Sequence, residues 1–404
     1  MATAGAAGCS DKSKERNAAN LPITLGLPQP ITYDAVYVVN GTGNAITVID
    51  AEKDFVNPSK IFLKNTTFPH YLSLSNDRSK LLVTAGAVGS PSGDGGTDGG
   101  TDGAADAGDA GNEAGATLTA ASAPAPEVRN DGVDALHEGE HAEGQGHGIG
   151  AVLVLNAATG TTIKGRFTDG AVQSAVFGAN EDEVWAAEST TPGNVLVMLT
   201  TTLVNKASIK VGDQPGRISI AQNERYAFVA NTASNSVTAI DTATKIVPKN
   251  GTIAVGNGPI GAWQGPDDLA YVENAGDTTI TAIDTRTLEV RRTFKLGFVA
   301  GAVGYGADNT IWVTDPKGGR VVLFSATGVK TWEIPTGAGA YGIAFSDDKK
   351  TAYVANSIAN TVSVINVAGR IVRLRLNVGG NPNWVLFRPK DKNGPGLPGG
   401  DGGR

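Results

Sequence analysis

The sequence predicts an all-β protein built from seven similar units, and three observations lead to this prediction. Val, Ile and Thr alternate with polar residues between clusters of Gly, Asn and Asp, and no window keeps a helical period. The chain has 404 residues, 54 of them glycine, and only 18% of them are charged. A short anchor motif, in which an aromatic residue or leucine is followed by a small apolar stretch that ends in a turn, occurs seven times, beginning at Tyr37, Leu82, Trp185, Phe228, Tyr271, Trp312 and Tyr353. A repeat of about 20–50 residues with several short strands is typical of propeller blades rather than helical solenoids.

The spacing of the anchor motifs is regular except at one point. The six intervals are 45, 103, 43, 43, 41 and 41 residues. Without residues 91–149 the long interval falls to 44, so the repeat is continuous and carries one insertion inside the second unit. The insertion is predicted to be disordered, because its Gly/Asp-rich composition offers too little apolar surface to offset the entropy of ordering.

Each unit is predicted to contain four strands in a constant order. The first begins near a Pro-x-x motif, as at residues 215–219, and the anchor motif forms the second. The third alternates apolar and polar residues, as at 235–241, which suits a half-buried strand. The fourth ends in Val-Gly, as at Val211 and Gly212.

The two ends of the chain complete each other. Residues 381–387 have the pattern of a first strand with no unit after them, whereas no good first strand precedes Tyr37. We therefore predict that the C-terminal strand completes the first blade, closing the ring without an unpaired edge at the seam. The result is a seven-bladed β-propeller of about 28 strands over residues 31–390. Residues 1–30 and the Gly/Pro-rich residues 391–404 are predicted to be tails.

The repeated phrases resemble a known repeat family. Tyr-Val-Ala-Asn at 353–356 and Asn-Thr-Val-Ser-Val-Ile-Asn at 360–366 resemble the YVTN-type β-propeller repeats of bacterial and archaeal secreted or surface proteins. The resemblance covers roughly residues 33–389 apart from the insertion, and it is weaker where Ala85, Glu188 and Asp315 replace the expected Asn. It implies a propeller in the cell envelope, often with a binding role, but no single reaction.

Charge and cysteine content limit the possible partners. The whole chain has a net charge of −7, and residues 91–150 alone carry −11, so the rest of the chain has a net charge of +4. Its basic residues are dispersed rather than clustered on one face, so nucleic acid is not an expected partner.

The single cysteine, Cys9, excludes an intramolecular disulfide. Its small neighbours at 6–8 resemble a bacterial lipobox, and we expect a lipid on Cys9. The apolar run of a signal is missing before it, so either the true start lies upstream of Met1 or the motif is accidental.

Polar and aromatic residues at the starts of the first strands are the candidates for a ligand site. These starts ring the mouth of the channel on one face of a propeller, where a mixture of base, amide and aromatic groups suits a small polar molecule or peptide. The candidates are His70, Tyr71, Gln173, Ser174, Arg217, Tyr341, Asn383 and Trp384. The alternative is that they only fill the mouth with hydrogen bonds. The anchor asparagines and the Asp residues that end third strands are predicted to be turn formers.

The insertion contains the other candidate binding residues, three histidines that could bind a metal ion. His137, His141 and His147 lie among carboxylates and could bind a divalent transition metal weakly, but their spacing fits no structural zinc motif, so the alternative is a solvated tract and no cofactor is predicted. The insertion leaves from the same face as the channel mouth. It could therefore cover, or compete at, a basic ring that includes Arg217.

Enzyme motifs are mostly absent. The sequence has no Gly-x-Ser-x-Gly elbow, phosphate-binding loop, His-Glu-x-x-His or Cys-x-x-Cys-His.

We expect a monomeric, non-catalytic protein of the periplasm or outer surface. It is expected to bind a protein, peptide or saccharide with its top face and to contact the membrane only through a lipid. One alternative is a lactonase-type hydrolase or lyase, with His70 as acid or base and Arg217 holding an anion. Another is a redox accessory whose His-rich arm binds metal.

Overall fold

The structure, a computed structural model, describes residues 21–87, 150–265 and 268–390. These residues form thirty strands and no helix, arranged in seven antiparallel sheets. Six sheets have four strands in sequential order, and the first strands of neighbouring sheets lie side by side around the ring. The prediction of an all-β, seven-bladed propeller is confirmed. No helix in this part of the chain is long and apolar enough to cross a membrane.

The first three blades contain the strands of the N-terminal half. Blade one includes β1 (Ile23–Leu25), β2 (Ala35–Asn40), β3 (Ala45–Asp50), β4 (Phe55–Val56) and β5 (Ile61–Lys64). Blade two consists of β6 (Thr66–Leu74), β7 (Lys80–Ala87), β8 (Gly150–Asn156) and β9 (Thr162–Phe167). Blade three consists of β10 (Ala171–Phe177), β11 (Glu183–Ser189), β12 (Asn194–Leu199) and β13 (Asn205–Lys210).

The next three blades follow the same order. Blade four consists of β14 (Pro215–Ile220), β15 (Tyr226–Asn231), β16 (Ser236–Asp241) and β17 (Thr252–Ala254). Blade five consists of β18 (Pro259–Gln264), β19 (Leu269–Asn274), β20 (Thr279–Asp284) and β21 (Val290–Lys295). Blade six consists of β22 (Val303–Tyr305), β23 (Ile311–Asp315), β24 (Arg320–Phe324) and β25 (Lys330–Pro335).

Blade seven and the ring closure complete the fold. Blade seven consists of β26 (Ala340–Phe345), β27 (Thr351–Asn356), β28 (Thr361–Asn366) and β29 (Ile371–Asn377), and the last strand is β30 (Pro382–Arg388). β30 pairs antiparallel with β2, from Ala35 opposite Arg388 to Val39 opposite Trp384. The two ends of the propeller therefore share one sheet, as predicted from the unmatched first strand.

Blade one is larger than the predicted four strands. Its outer edge is divided between β4 and β5, and β1 adds a further strand to β5. The chain after β1 then crosses to blade two, where the amides of Leu27 and Ile31 donate to the carbonyl oxygens of Thr159 (2.7 Å) and Ala158 (2.8 Å). These extra segments account for thirty strands instead of about 28.

The anchor asparagines stabilise the connection between second and third strands. The side-chain amide of Asn356 donates to the hydroxyls of Thr361 (3.0 Å) and Ser363 (2.9 Å), and Asn231 and Asn274 make the matching pairs of bonds in blades four and five. They differ from the prediction because they keep strand geometry and bond the next strand. The left-handed turn residue comes four positions later, as at Asn360 (φ 57°).

The acidic residues that end third strands act as predicted. Asp241 accepts from the backbone N–H of Thr244 at 2.8 Å, and Asp284 accepts from Arg286 (2.9 Å) and Thr287 (3.0 Å). Each carboxylate thus fixes the turn that follows its strand.

Candidate functional site in the central channel

The first strands carry β-bulges that place the candidate residues. Pairing with the second strand is interrupted near the start of the first strand in six blades, for example between Pro215 and Ile218 in β14 and between Ala340 and Ile343 in β26. A bulge leaves a residue unpaired and redirects its side chain. The candidates that fall within such interruptions are His70, Gln173, Arg217, Tyr341 and Asn383.

An ion pair lies at the centre of the site. The guanidinium of Arg217, 8% exposed, donates from Nη1 to Oε1 of Glu273 at 2.9 Å, and Glu273 is 1% exposed. Arg217 also donates from Nη2 to the hydroxyl of Tyr341 at 3.1 Å. Arg217 comes from blade four, Glu273 from blade five and Tyr341 from blade seven. The ion pair and the bond to Tyr341 together join three blades, at a place where a charge needs a partner because little water reaches it.

Aromatic rings enclose the Arg217 guanidinium. Its Cζ atom lies 5.1 Å from the ring centre of Trp384, 5.4 Å from that of Trp263 and 5.6 Å from that of Tyr341. The two indoles stack on each other with centres 5.4 Å apart and planes 17° apart. Trp263 donates from Nε1 to Oε2 of Glu273 at 3.0 Å. Stacking on a ring face stabilises a cation when water is largely excluded, so the rings and the carboxylate together hold one charged group.

Tyr71 extends the aromatic cluster from blade two. Its ring lies 4.7 Å from that of Trp384, centre to centre. Burial raises the pKa of the Tyr71 phenol to about 12, although the nearby charge of Arg217 acts in the opposite direction. Tyr71 is therefore a protonated phenol at neutral pH.

His70 lies between blades two and three. Its Nε2 is 2.7 Å from the carbonyl oxygen of Val172, and its Nδ1 is 3.0 Å from the carbonyl oxygen of Phe68. Both ring nitrogens thus face backbone acceptors. Phe68 itself has a φ of 43°, which is rare for a residue with a bulky side chain.

The remaining sequence candidates make contacts between blades. Ser174 is fully buried and its Oγ accepts from the backbone N–H of Ile218 at 2.8 Å. Asn383 donates from Nδ2 to the carbonyl oxygen of Pro69 at 3.3 Å. Gln173 occupies the bulge of β10 and is partly exposed. Ser174 and Asn383 therefore connect the first strands of neighbouring blades.

Two residues of the site were missed by sequence reasoning, although a signal existed. Glu273 stands at the third position of an anchor motif, where the other six copies have Val39, Thr84, Ala187, Ala230, Thr314 and Ala355. Trp263 is a large aromatic residue in a first strand, where small residues are frequent. A single charged residue at a buried position of a repeat is a strong departure, and comparing the seven copies position by position would have found it.

Three groups of sequence predictions lie outside the described residues. These are the lipobox-like Cys9, the histidines His137, His141 and His147, and the acidic insertion as a whole. Among the residues the structure describes, no group of three or more His, Cys, Asp or Glu side chains is arranged to hold a metal ion.

The fold is similar to several solved structures. A periplasmic gluconolactonase from Pseudomonas aeruginosa superposes with a TM-score of 0.63 at 14% identity, covering 89% of this chain and 99% of that one. A Bacteroides fragilis protein named provisionally as a 6-phosphogluconolactonase gives 0.61 at 12% identity, covering 92% and 99%. A Bacteroides uniformis protein with the same provisional name gives 0.60 at 13%, covering 89% and 100%. Neither a protein-family model nor a curated protein matches the chain.

These similarities correct one expectation and leave another as a prediction. The expectation of a non-catalytic binding protein was wrong, because a gluconolactonase and two proteins provisionally named 6-phosphogluconolactonases are among the similar structures. The chain shares its overall fold with these neighbours. Membership of the YVTN-type family stays a prediction, since no family model matches.

Proposed function

We propose that this protein is a lactonase-type hydrolase that opens a lactone ring in its central channel beside Arg217. The observation that carries the proposal is the buried Arg217–Glu273 pair at 2.9 Å, enclosed by aromatic rings. Structural similarity to a gluconolactonase supports the same reaction class, although at 14% identity it establishes only the fold.

The chemistry assigns one role to each member of the pair. A water molecule attacks the lactone carbonyl carbon while Glu273 takes a proton from that water. As Glu273 becomes neutral, the charge of Arg217 loses its counterion and stabilises the oxyanion that forms on the carbonyl oxygen. The bond from the carbonyl carbon to the ring oxygen then breaks, and the proton held by Glu273 passes to that oxygen. One water is consumed and one hydroxy acid is produced.

The neighbours of the pair position it. Tyr341 and Trp263 each bond one member, at 3.1 Å and 3.0 Å, and so fix the orientation of both groups. In this proposal His70 is a positioning residue rather than the acid or base, because both its ring nitrogens face carbonyl oxygens that belong to two neighbouring blades. It keeps the first strands of blades two and three in register beside the site.

We also propose a setting for the reaction. The gluconolactonase it is similar to is periplasmic, and this supports a periplasmic or envelope location for the present chain. A lipid on Cys9 would tether it there. Mass spectrometry of the protein isolated from its membrane fraction tests the tether, and an unmodified Cys9 would remove it.

The decisive experiment measures lactone hydrolysis by proton release. Aldonolactones, with and without a 6-phosphate, are compared as substrates for the wild type and for Glu273→Gln and Arg217→Lys. Glu273→Gln keeps the shape of the side chain and removes the base, so kcat should fall by about 10²–10⁴-fold. Arg217→Lys keeps the charge but misplaces it, and we expect a loss of about 10²–10³-fold.

Arg291→Ala is the matched control. Its side chain is 48% exposed on the outer strand β21, far from the first strands, so kcat should stay at the wild-type value. Thermal unfolding confirms that each variant is folded. The proposal fails if the wild type does not exceed the spontaneous rate on any of these lactones, or if Glu273→Gln keeps full activity.

A further inference from the structure

The side chains that share the orientation of Arg217 form two tiers along the channel. Side chains two positions apart on a strand lie on the same face, so Ser219 follows Arg217 and Leu386 follows Trp384. The upper tier consists of Tyr71, Ser174, Arg217, Gly261, Ala302, Gly342 and Trp384. The lower tier consists of Ser73, Val176, Ser219, Trp263, Gly304, Ala344 and Leu386.

The two tiers differ in exposure in every blade. All seven residues of the upper tier are buried, for example Ser174 at 0% and Trp384 at 5%. All seven residues of the lower tier are partly exposed to solvent. Since the seven first strands surround the axis, partial exposure of this level in every blade is the pattern expected of a solvent-accessible chamber below Arg217.

The lower tier is uncharged and partly apolar. Trp263, Leu386 and Val176 supply its apolar surface, and Ser73 and Ser219 supply hydroxyls. Ser73 donates to the carbonyl oxygen of Ala175 at 2.9 Å, and Ser219 accepts from Gln264 at 3.4 Å, so both hydroxyls are engaged with the wall. None of the seven residues has a charged side chain, so this level offers no partner to an ionised group.

The chamber lies toward the turns that join first and second strands. These turns contain left-handed residues such as Arg78 (φ 63°) and Lys349 (φ 57°), and Arg78 bonds Asp347 of blade seven at 2.8 Å. In blade two, β7 ends and β8 begins at the opposite end of the sheet. The described chain therefore leaves β7 and re-enters β8 at the end opposite these turns.

We propose that the lower tier is the chamber that receives an uncharged, partly apolar part of the ligand, and that the ligand reaches Arg217 from the end formed by these turns. The inference deepens the proposed function, because it takes Arg217 as the reacting end of the chamber. It differs from the sequence expectation, which placed access on the opposite, insertion-bearing face.

Cysteine labelling tests the chamber without needing activity. Cys9 is the only cysteine, so Cys9→Ser gives a background in which single Ser→Cys changes are read out by N-ethylmaleimide. Ser73→Cys and Ser219→Cys report on the lower tier, Ser174→Cys on the upper tier, and Thr327→Cys on an exposed turn. Thiol modification follows exposure, so both lower-tier variants should react within about tenfold of Thr327→Cys, and Ser174→Cys at least about a hundredfold more slowly.

Turnover by the labelled proteins then tests the direction of entry. A maleimide adduct on residue 219 should abolish lactone hydrolysis, whereas an adduct on Gln214→Cys, which is exposed just before the start of β14 and so at the other end of the first strands, should leave at least about half of it. The inference is overturned if neither Ser73→Cys nor Ser219→Cys reacts in the folded protein, or if only the Gln214→Cys adduct blocks turnover. If no lactone is hydrolysed, the proposed function fails while labelling still decides whether the chamber is open.

Discussion

Blades five and seven have the same framework and differ in what they place in the channel. Their first three strands each contain six residues. In both blades the anchor asparagine, Asn274 or Asn356, bonds two hydroxyls of the third strand at 2.9–3.0 Å. Blade five, however, has Glu273 where blade seven has Ala355. The repeated positions form the blade, and the departures from the repeat form the site.

The departures in blade five compensate each other. Glu273 would be an unpaired buried charge, but Trp263 of the same blade donates to it at 3.0 Å and Arg217 of blade four pairs with it at 2.9 Å. In blade seven the position that matches Trp263 is Ala344. Blade seven therefore needs no polar partner there. A buried polar group whose hydrogen-bond partners also depart from the repeat indicates function more strongly than a single unusual residue does.

The largest effect is expected from removing the carboxylate of blade five. Glu273→Ala leaves Arg217 buried without its counterion, so the free energy of unfolding should fall by about 3–5 kcal/mol. Urea denaturation measures this. Glu289→Ala, whose side chain is 69% exposed in the same blade, should change it by less than about 0.5 kcal/mol. A loss below about 1 kcal/mol for Glu273→Ala would mean that the Arg217–Glu273 ion pair contributes little to the stability of blade five.

The anchor asparagines should behave alike in both blades. Asn274→Ala and Asn356→Ala each remove two buried hydrogen bonds and leave hydroxyls behind, so each should lower the free energy of unfolding by about 1–3 kcal/mol. The two losses, measured by urea denaturation, are expected to agree within about 0.5 kcal/mol. A clear inequality would show that the shared framework is not equivalent in the two blades.

Glycines beside the anchors should show the same equivalence. A Cβ at Gly256 would lie 2.8 Å from Cγ of Asn274, and one at Gly337 would lie 2.8 Å from Cγ of Asn356. Each Gly→Ala variant should therefore lose about 1–3 kcal/mol through overpacking. Combining Gly337→Ala with Asn356→Ala should cost less than the sum of the two, because the truncated anchor makes room. Strict additivity in thermal and urea unfolding would contradict this contact.

Trp263→Phe isolates the hydrogen bond that blade five adds. Phenylalanine keeps a ring against Trp384 but has no N–H for Glu273, so we expect a loss of about 1 kcal/mol together with a lower kcat for lactone hydrolysis. Trp332→Phe, at a half-exposed position on β25, is the control. Unchanged kcat in Trp263→Phe would mean that this bond does not orient the carboxylate.

The smallest effect concerns acid stability at the ends of the third strands, where blade five has Asp284 and blade seven has Asn366. Backbone hydrogen bonds from Thr287 and Arg286, with the side chain of Arg291, lower the pKa of Asp284 to about 2. A depressed pKa stabilises the fold above the unfolded-state value of about 4, and this stabilisation is lost as the pH falls toward 2.

Asp284→Asn should therefore reduce the loss of stability between pH 5 and pH 2, by less than about 1 kcal/mol because the ion pair with Arg291 is near the surface. The corresponding change Asn366→Asp should increase that loss. Urea denaturation at both pH values measures the difference. An acid dependence unchanged in Asp284→Asn would show that this carboxylate makes no special contribution.

The sequence by itself determined the blade count and the closure of the ring by a C-terminal first strand, because both depend on periodic local patterns. Six of the eight candidate residues, Tyr71, Ser174, Arg217, Tyr341, Asn383 and Trp384, are buried, and their role in binding a ligand stays a prediction. Only the tertiary structure decided which of them meet. Arg217 contacts Glu273 and Tyr341, 56 and 124 residues away, because strands separated along the chain face one another across a closed ring.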